Sequence, residues 1–456
     1  MIPNLKNKLK AMSSNSPLHN PDAGNLERPV HEQTAYTEND GSLDTYEPIY
    51  KSINNGNKVD TDRKTVGCNE RMEDFGGQAI IGAYGSFIRK RTIYGKSTIY
   101  GSVNLSDLWA SSFSDNRWWT RLDRDICIQD IVLLDTETTG LAGGTGTYPF
   151  LIGIGYFTDN GLVIEQYLMR DFDEEYPMLL AVLDVLKNFR VLVTFNGKAF
   201  DWPLLESRFV YSRLRPLYWE DSHLDLLHVA RRLWGNFLES CSLVSIEDKI
   251  LKQQRKNDIP GQLIPKIYFD YLETRKTDAM KQVIKHNEWD IAALAALLIH
   301  ISKLYKNPIG YANPHELLSI AKELERNHRI QEASECYKCC IDTAVIHSLK
   351  VDAKKRFAYL RKRHDGPEEA MNLWEELAGE EGSMLIFPLV EMAKYLEHGK
   401  KDYKKALECT ERAIQLASRL RNNGDYNNGS SKLRDELFTR KRRLLKKIER
   451  SIEQWG

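Results

Sequence analysis

Asp135 and Glu137 stand two residues apart at the end of an apolar run, Ile131 to Leu134, and are followed by Thr138, Thr139 and Gly140. The run reads as a strand, and residues two apart on a strand point the same way, so the two carboxylates project side by side. Like charges that close are unfavourable unless a cation, a shared proton or water offsets them, and hard oxygen donors suit magnesium or manganese. On this segment alone a solvated turn after a strand is the competing reading. Further acids decide between the two.

A second apolar run, Val191 to Phe195, leads through Asn196-Gly-Lys-Ala-Phe200 to Asp201 at the start of a helix. Aspartate there is commonly a cap, yet the carboxyl end of a strand is where ligands gather in α/β sheets. Asn196 offers an amide and Phe200 an aromatic face suited to a nucleotide's sugar and base, although Phe200 would serve equally in a core. The third element, His286-Asn-Glu-Trp-Asp290, enters the apolar stretch Ile291 to His300. Residues four apart share a helix face, and a histidine beside a metal-bound aspartate can take a proton from water near neutral pH. Four acids and one base, spread over three elements, are far more specific than any one pair.

The elements that must position them lie between about 128 and 305. Ile131–Leu134, Pro149–Phe157 and Leu162–Leu168 are too close for crossover helices and should pair antiparallel. A helix over about Glu174–Phe189 and a strand over Val191–Phe195 then make the unit mixed α/β. The turn Gly143-Gly-Thr-Gly146 lacks the Gly-Lys-Ser/Thr ending of a phosphate loop and enters a strand, so it reads as a hairpin.

In order and spacing these motifs resemble the DEDD exonucleases of the ribonuclease-H-like superfamily: Asp135-Thr-Glu137 the first, Asn196 to Asp201 the second, His286 to Asp290 the third. Between the last two, Cys241-Ser-Leu and Asp258-Ile-Pro-Gly-Gln-Leu-Ile-Pro-Lys-Ile-Tyr268 resemble the YprB-like subfamily, which joins such a domain to a helical-repeat tail. The resemblance implies that Asp135, Glu137, Asp201 and Asp290 hold two divalent ions, Mg2+ or Mn2+. It implies that His286 activates the attacking water, and that Thr138, Leu141, Asn196 and Phe200 touch a single-stranded 3′ end of nucleic acid. One departure is visible: superfamily members with histidine commonly place it five residues before the last aspartate, and His286 lies four before Asp290.

Residues 1–70 are polar and poor in periodic apolar positions, a composition expected to be disordered, and 71–127 carry short glycine-punctuated runs expected to form small strands ahead of the main domain. The expected α/β domain covers 128–306. After Pro308 the pattern turns helical, with Ala333 and Ala370 each opening an Ala-x-x-x-aromatic motif and Ala406 an Ala-x-x-Cys motif, 37 and 36 residues apart. That spacing resembles a tetratricopeptide-type array over 307–456, whose concave face would take a protein partner. The basic helix Arg440–Arg450 carries an apolar stripe of Leu437, Leu444, Leu445, Ile448 and Ile452 and reads as a capping helix with a solvated outer face, with nucleic-acid contact as the alternative. Arg421–Ser431 reads as a loose connector.

Composition narrows the classes. Lysine plus arginine equals aspartate plus glutamate at 64 each, so any surface for a polyanion must be local. The seven scattered cysteines form neither a disulfide framework nor a zinc site, since the Cys336/Cys339 pair has no second pair at ligand spacing. No apolar run spans a membrane and the opening residues lack the apolar core of a signal peptide, so a cytoplasmic location is expected. Two function classes fit: a metal-dependent 3′–5′ exonuclease, or a catalytically weak nucleic-acid-binding scaffold whose repeats recruit a protein.

Overall fold

The structure, a computed structural model, describes residues 75–109, 117–122, 127–140, 146–219, 221–379, 385–422 and 430–453. The polar tail, Leu141 and most of the Gly143–Gly146 turn lie outside the described residues.

Seven strands form one sheet: β1 (Gln78–Gly82), β2 (Gly85–Gly95), β5 (Ile131–Thr138), β6 (Pro149–Thr158), β7 (Gly161–Leu168), β8 (Val191–Thr194) and β9 (His223–Asp225). A separate small pair comprises β3 (Ile99–Tyr100) and β4 (Val103–Asn104). The sheet order is β1-β2-β7-β6-β5-β8-β9, antiparallel from β1 to β5 and parallel from β5 through β8 to β9. The mixed sheet expected from the sequence is therefore present, and the segment read as a preface supplies two of its strands. β2 pairs with β7 over eight residues, Ile88 to Gly95, because the short turn at Asp159–Asn160 returns β7 alongside β6 and leaves its outer edge open to β2.

β5 is buried on both faces, which explains why Ile131–Leu134 is continuously apolar. Ile131 and Leu133 enter one core with α3 (Leu226–Trp234) and the carboxyl half of α6 (Asp278–Lys306). Val132 and Leu134 enter another with α1 (Glu175–Leu186), α2 (Asp201–Tyr211) and α5 (Ile264–Thr274). A further helix, α4 (Leu243–Lys249), packs on α6.

The chain continues as α7 (Pro314–Arg326), α8 (Ile330–Thr343), α9 (His347–His364), α10 (Met371–Gly379), α11 (Ile386–Tyr395), α12 (Tyr403–Asn422) and α13 (Ser430–Glu453), each packed on the next. The α/β region and this helical region share a core: Leu317, Ile320 and Leu324 of α7 join the α6 cluster. The Trp234 indole donates to Glu316 Oε1 at 2.7 Å and the Ser319 hydroxyl donates to Leu233 O at 3.0 Å. Ala333, Ala370 and Ala406 are fully buried.

The basic last helix differs from expectation in two ways. Its apolar stripe is narrower, because Leu437 and Leu444 are buried while Leu445 and Ile452 are exposed. Nor is its charge simply solvated: Arg440, Arg443 and Lys447 all point at the buried Glu397, with N–O separations of 2.7, 2.7 and 2.9 Å. Among the described residues no helix is long and apolar enough to cross a membrane.

Candidate metal centre

At its carboxyl end β5 buries Thr136 and Thr138 and leaves Asp135 and Glu137 half-buried on the alternate positions. Thr136 anchors the next acid. Its hydroxyl and its amide both donate to Asp201 Oδ1, at 2.6 and 3.2 Å, fixing the first residue of α2 to the strand that carries the first two acids.

The loop between β8 and α2 is shaped by Asp225 at the end of β9. Asp225 Oδ1 accepts the amides of Asn196 (2.8 Å) and Leu227 (3.0 Å), and Oδ2 accepts the amide of Lys198 (3.1 Å). Asn196 adopts φ +66°, a left-handed conformation that asparagine tolerates. Its side chain is exposed and Phe200 is half-buried.

α6 delivers His286 and Asp290, whose Nε2 and Oδ2 lie 3.2 Å apart, with His286 Nε2 3.9 Å from Glu137 Oε1. It comes this close because β6 presents glycines opposite it. A Cβ on Gly153 would sit 2.4 Å from Asn287 Oδ1, and one on Gly155 would sit 2.5 Å from Ile291. Asn287, fully buried, donates to Asp135 Oδ2 at 2.8 Å and accepts from Gln166 Nε2 at 2.9 Å, so helix, first acid and β7 are locked together.

The structure thus brings Asp135, Glu137, Asp201, His286 and Asp290 to one place and sets Asn196 and Phe200 on the adjoining loop. Thr138 is buried and donates its hydroxyl to Gly140 O at 2.7 Å, and Leu141 lies outside the described residues. Sequence reasoning missed Asn287 and Gln166, and gave no role to Arg255 or Asp258. Asp258 Oδ1 lies 2.7 Å from His286 Nδ1, leaving Nε2 to face the acids. Arg255 Nη2 lies 2.7 Å from Asp290 Oδ1. The signal available was a cation and an acid three apart just ahead of Ile-Pro-Gly.

The electrostatics show a cluster with surplus negative charge. Burial, then the fields of Asp290, Glu137 and Asp201, push Asp135 well above the usual carboxylate range. Burial, then Asp290, Asp201 and Asp258, do the same to Glu137. Burial lifts Asp201 to about 6 against the opposing hydrogen bonds from Thr136. Burial alone would depress the His286 pKa, but the hydrogen bonds and charges of Asp290 and Asp258 reverse this and raise it to about 9. Asp290 is lowered, because the hydrogen bond from His286 and the charge of Arg255 outweigh its burial.

These residues fit a divalent cation. Glu137, His286 and Asp290 can each offer a ligand atom within 4.8 Å of the others, and the donor set is mainly carboxylate oxygen, which suits Mg2+ or Mn2+. Two carboxylates whose charged forms are disfavoured by one another are what a hard cation would relieve.

Fold and site define a class. Residues 132–302, the stretch from β5 through α6, match the RNase_H superfamily. Along 70% of its length the chain is 33% identical to the uncharacterized protein YprB of Bacillus subtilis (strain 168), over 324 residues that cover 75% of that protein; the chain belongs to the YprB family. Among solved structures, the family B DNA polymerase of the hyperthermophilic archaeon Pyrobaculum calidifontis is similar over 50% of this chain, with 13% identity and a TM-score of 0.31; the match spans 29% of that polymerase.

Proposed function

We propose that this protein is a divalent-metal-dependent 3′–5′ exonuclease that hydrolyses phosphodiester bonds of DNA or RNA at single-stranded 3′ ends. The observation that carries this reading is the meeting of Asp135, Glu137, Asp201 and Asp290 with His286 at the carboxyl end of β5, within a domain of the RNase_H superfamily.

In this reading Asp135, Glu137, Asp201 and Asp290 hold two divalent ions, Mg2+ or Mn2+. Two such ions, when bound, supply positive charge to the attacking and leaving oxygens of an in-line displacement at phosphorus. The chain's own residues do the rest. With the acids engaged by those ions, His286, which the metal-free cluster keeps protonated, would give up that proton and, its Nδ1 side held by Asp258, would take the proton of the attacking water on Nε2. Water adds to phosphorus as the bond to the 3′ oxygen of the shortened strand breaks, that oxygen taking a proton from solvent to become a 3′-hydroxyl, and a 5′-nucleotide is released. Asn196 and Phe200 on the β8–α2 loop, with Thr138 at the end of β5 and Leu141 three residues on in the sequence, contact the terminal nucleotide. The helical region, read as a tetratricopeptide-type array, recruits a protein partner.

The test is incubation with 3′- and 5′-labelled single-stranded DNA and RNA in Mg2+, Mn2+ or chelator. Metal-dependent shortening from the 3′ end is expected. Binding without cleavage under every condition would replace the enzyme with a nucleic-acid-binding scaffold.

A further inference from the structure

Arg255 occupies a position that neither the fold nor the proposed chemistry requires. It lies between α4 and α5 with its side chain 4% exposed, and it meets three carboxylates: Asp290 Oδ1 and Glu247 Oε2, each 2.7 Å from Nη2, and Asp258 Oδ2, 3.1 Å from Nη1. Glu247 is buried and also accepts the Tyr100 hydroxyl at 2.5 Å, so the guanidinium is moored from behind. Asp290 is consequently held on both oxygens, Oδ1 by Arg255 and Oδ2 by His286.

We infer that Arg255 is a resident counter-cation of the metal centre, holding Asp290 in position while the centre is metal-free and yielding Oδ1 when a divalent ion enters. This rests on the reading of Asp290 as a metal ligand. The physical reason is charge balance. Carboxylates drawn from β5, α2 and α6 repel one another unless a cation sits among them, and a fixed guanidinium lessens that repulsion before metal arrives. The same charge opposes the incoming ion, so Arg255 trades metal affinity for order in the metal-free centre. Arg255 is on this account a positioning residue, acting through Asp290.

The test is the double variant Arg255→Met/Glu247→Gln, which removes the cation together with the carboxylate that moors it, leaving the loss to be felt at Asp290 and Asp258, beside Arg255→Lys. Melting is followed in chelator and in saturating Mn2+, and Mn2+ affinity is measured by calorimetry. The double variant should melt lower than wild type in chelator, recover most of that loss in Mn2+, and bind Mn2+ about threefold or more tightly, because the cation removed touches Asp290 while the carboxylate removed with it sits behind the guanidinium. Arg255→Lys should stay close to wild type. A double variant that folds only with Mn2+ would support the inference in its strongest form. Equal loss of melting temperature with and without Mn2+, failure to fold in either, or unchanged or weaker Mn2+ affinity would overturn it alone. Absence of saturable Mn2+ binding by wild type would overturn the metal reading and this inference together.

Discussion

Two buried carboxylate sites in this molecule handle charge in opposite ways. In the helical region one acid, Glu397, meets three cations, Arg440, Arg443 and Lys447. Burial alone would raise its pKa, but Arg443 and Lys447 more than reverse that and hold it at about 2. At the carboxyl end of β5, Asp290 is paired with Arg255 and His286, but Asp135, Glu137 and Asp201 have no cation each of their own and are displaced upward by burial and by neighbouring carboxylates. Folding alone selects the first arrangement, since a buried charge is tolerated when paired. The second is disfavoured by the fold itself and makes sense when something from outside supplies the missing positive charge.

The largest effect should come from breaking the unbalanced site. Asp135→Ala removes the first of the four acids, and cleavage should fall by roughly a thousandfold or more, the several kcal/mol that metal-ion charge stabilisation supplies, in a single-turnover assay. Its melting temperature in chelator should hold or rise, because one repelling charge has gone. Next comes Gly153→Ala. Its new Cβ would press on Asn287 at 2.4 Å and push α6 away from Asp135, so activity should drop about tenfold with folding retained, read as kcat with circular dichroism as control.

Glu397→Gln sharpens the comparison from the other side. It leaves cations around a neutral group and should cost about 2 kcal/mol in denaturant unfolding without changing cleavage by purified, folded protein. The smallest effect is a difference in pH dependence. Glu397 is depressed in the folded state, so its contribution is full above about pH 4.5 and fades as pH falls toward 2; Glu397→Gln should flatten that part of the unfolding profile. Asp201 is raised, to about 6, so its effect runs the other way: stability in chelator is lost as pH rises from the ordinary carboxylate range through 6. Asp201→Asn should remove that loss, and saturating metal should hide it in wild type.

Much of this was legible because strand and helix periods are local. Asp135 and Glu137 share a side of β5 by the two-residue repeat, and His286 and Asp290 share a face of α6 by the four-residue one. The continuous apolar run at Ile131–Leu134 marked a strand covered on both sides. What could not be read was set by long-range packing. Asn287 acts through the space that Gly153 leaves on β6, and Asp258 and Arg255 reach the site from a loop whose path no local pattern dictates. The same holds for β2, which joins the sheet because β7 offers an open edge, and for Glu397, whose three partners sit on a helix more than 40 residues later.

The central claim is that the β5 cluster is left unbalanced because it holds divalent metal. Its most direct test is a calorimetric Mn2+ titration of the wild-type chain at neutral pH beside Asp135→Ala. Saturable binding by wild type, with a rise in melting temperature and loss of both in the variant, is the expected result. A wild-type chain that binds no Mn2+ and melts identically in manganese and chelator would contradict it.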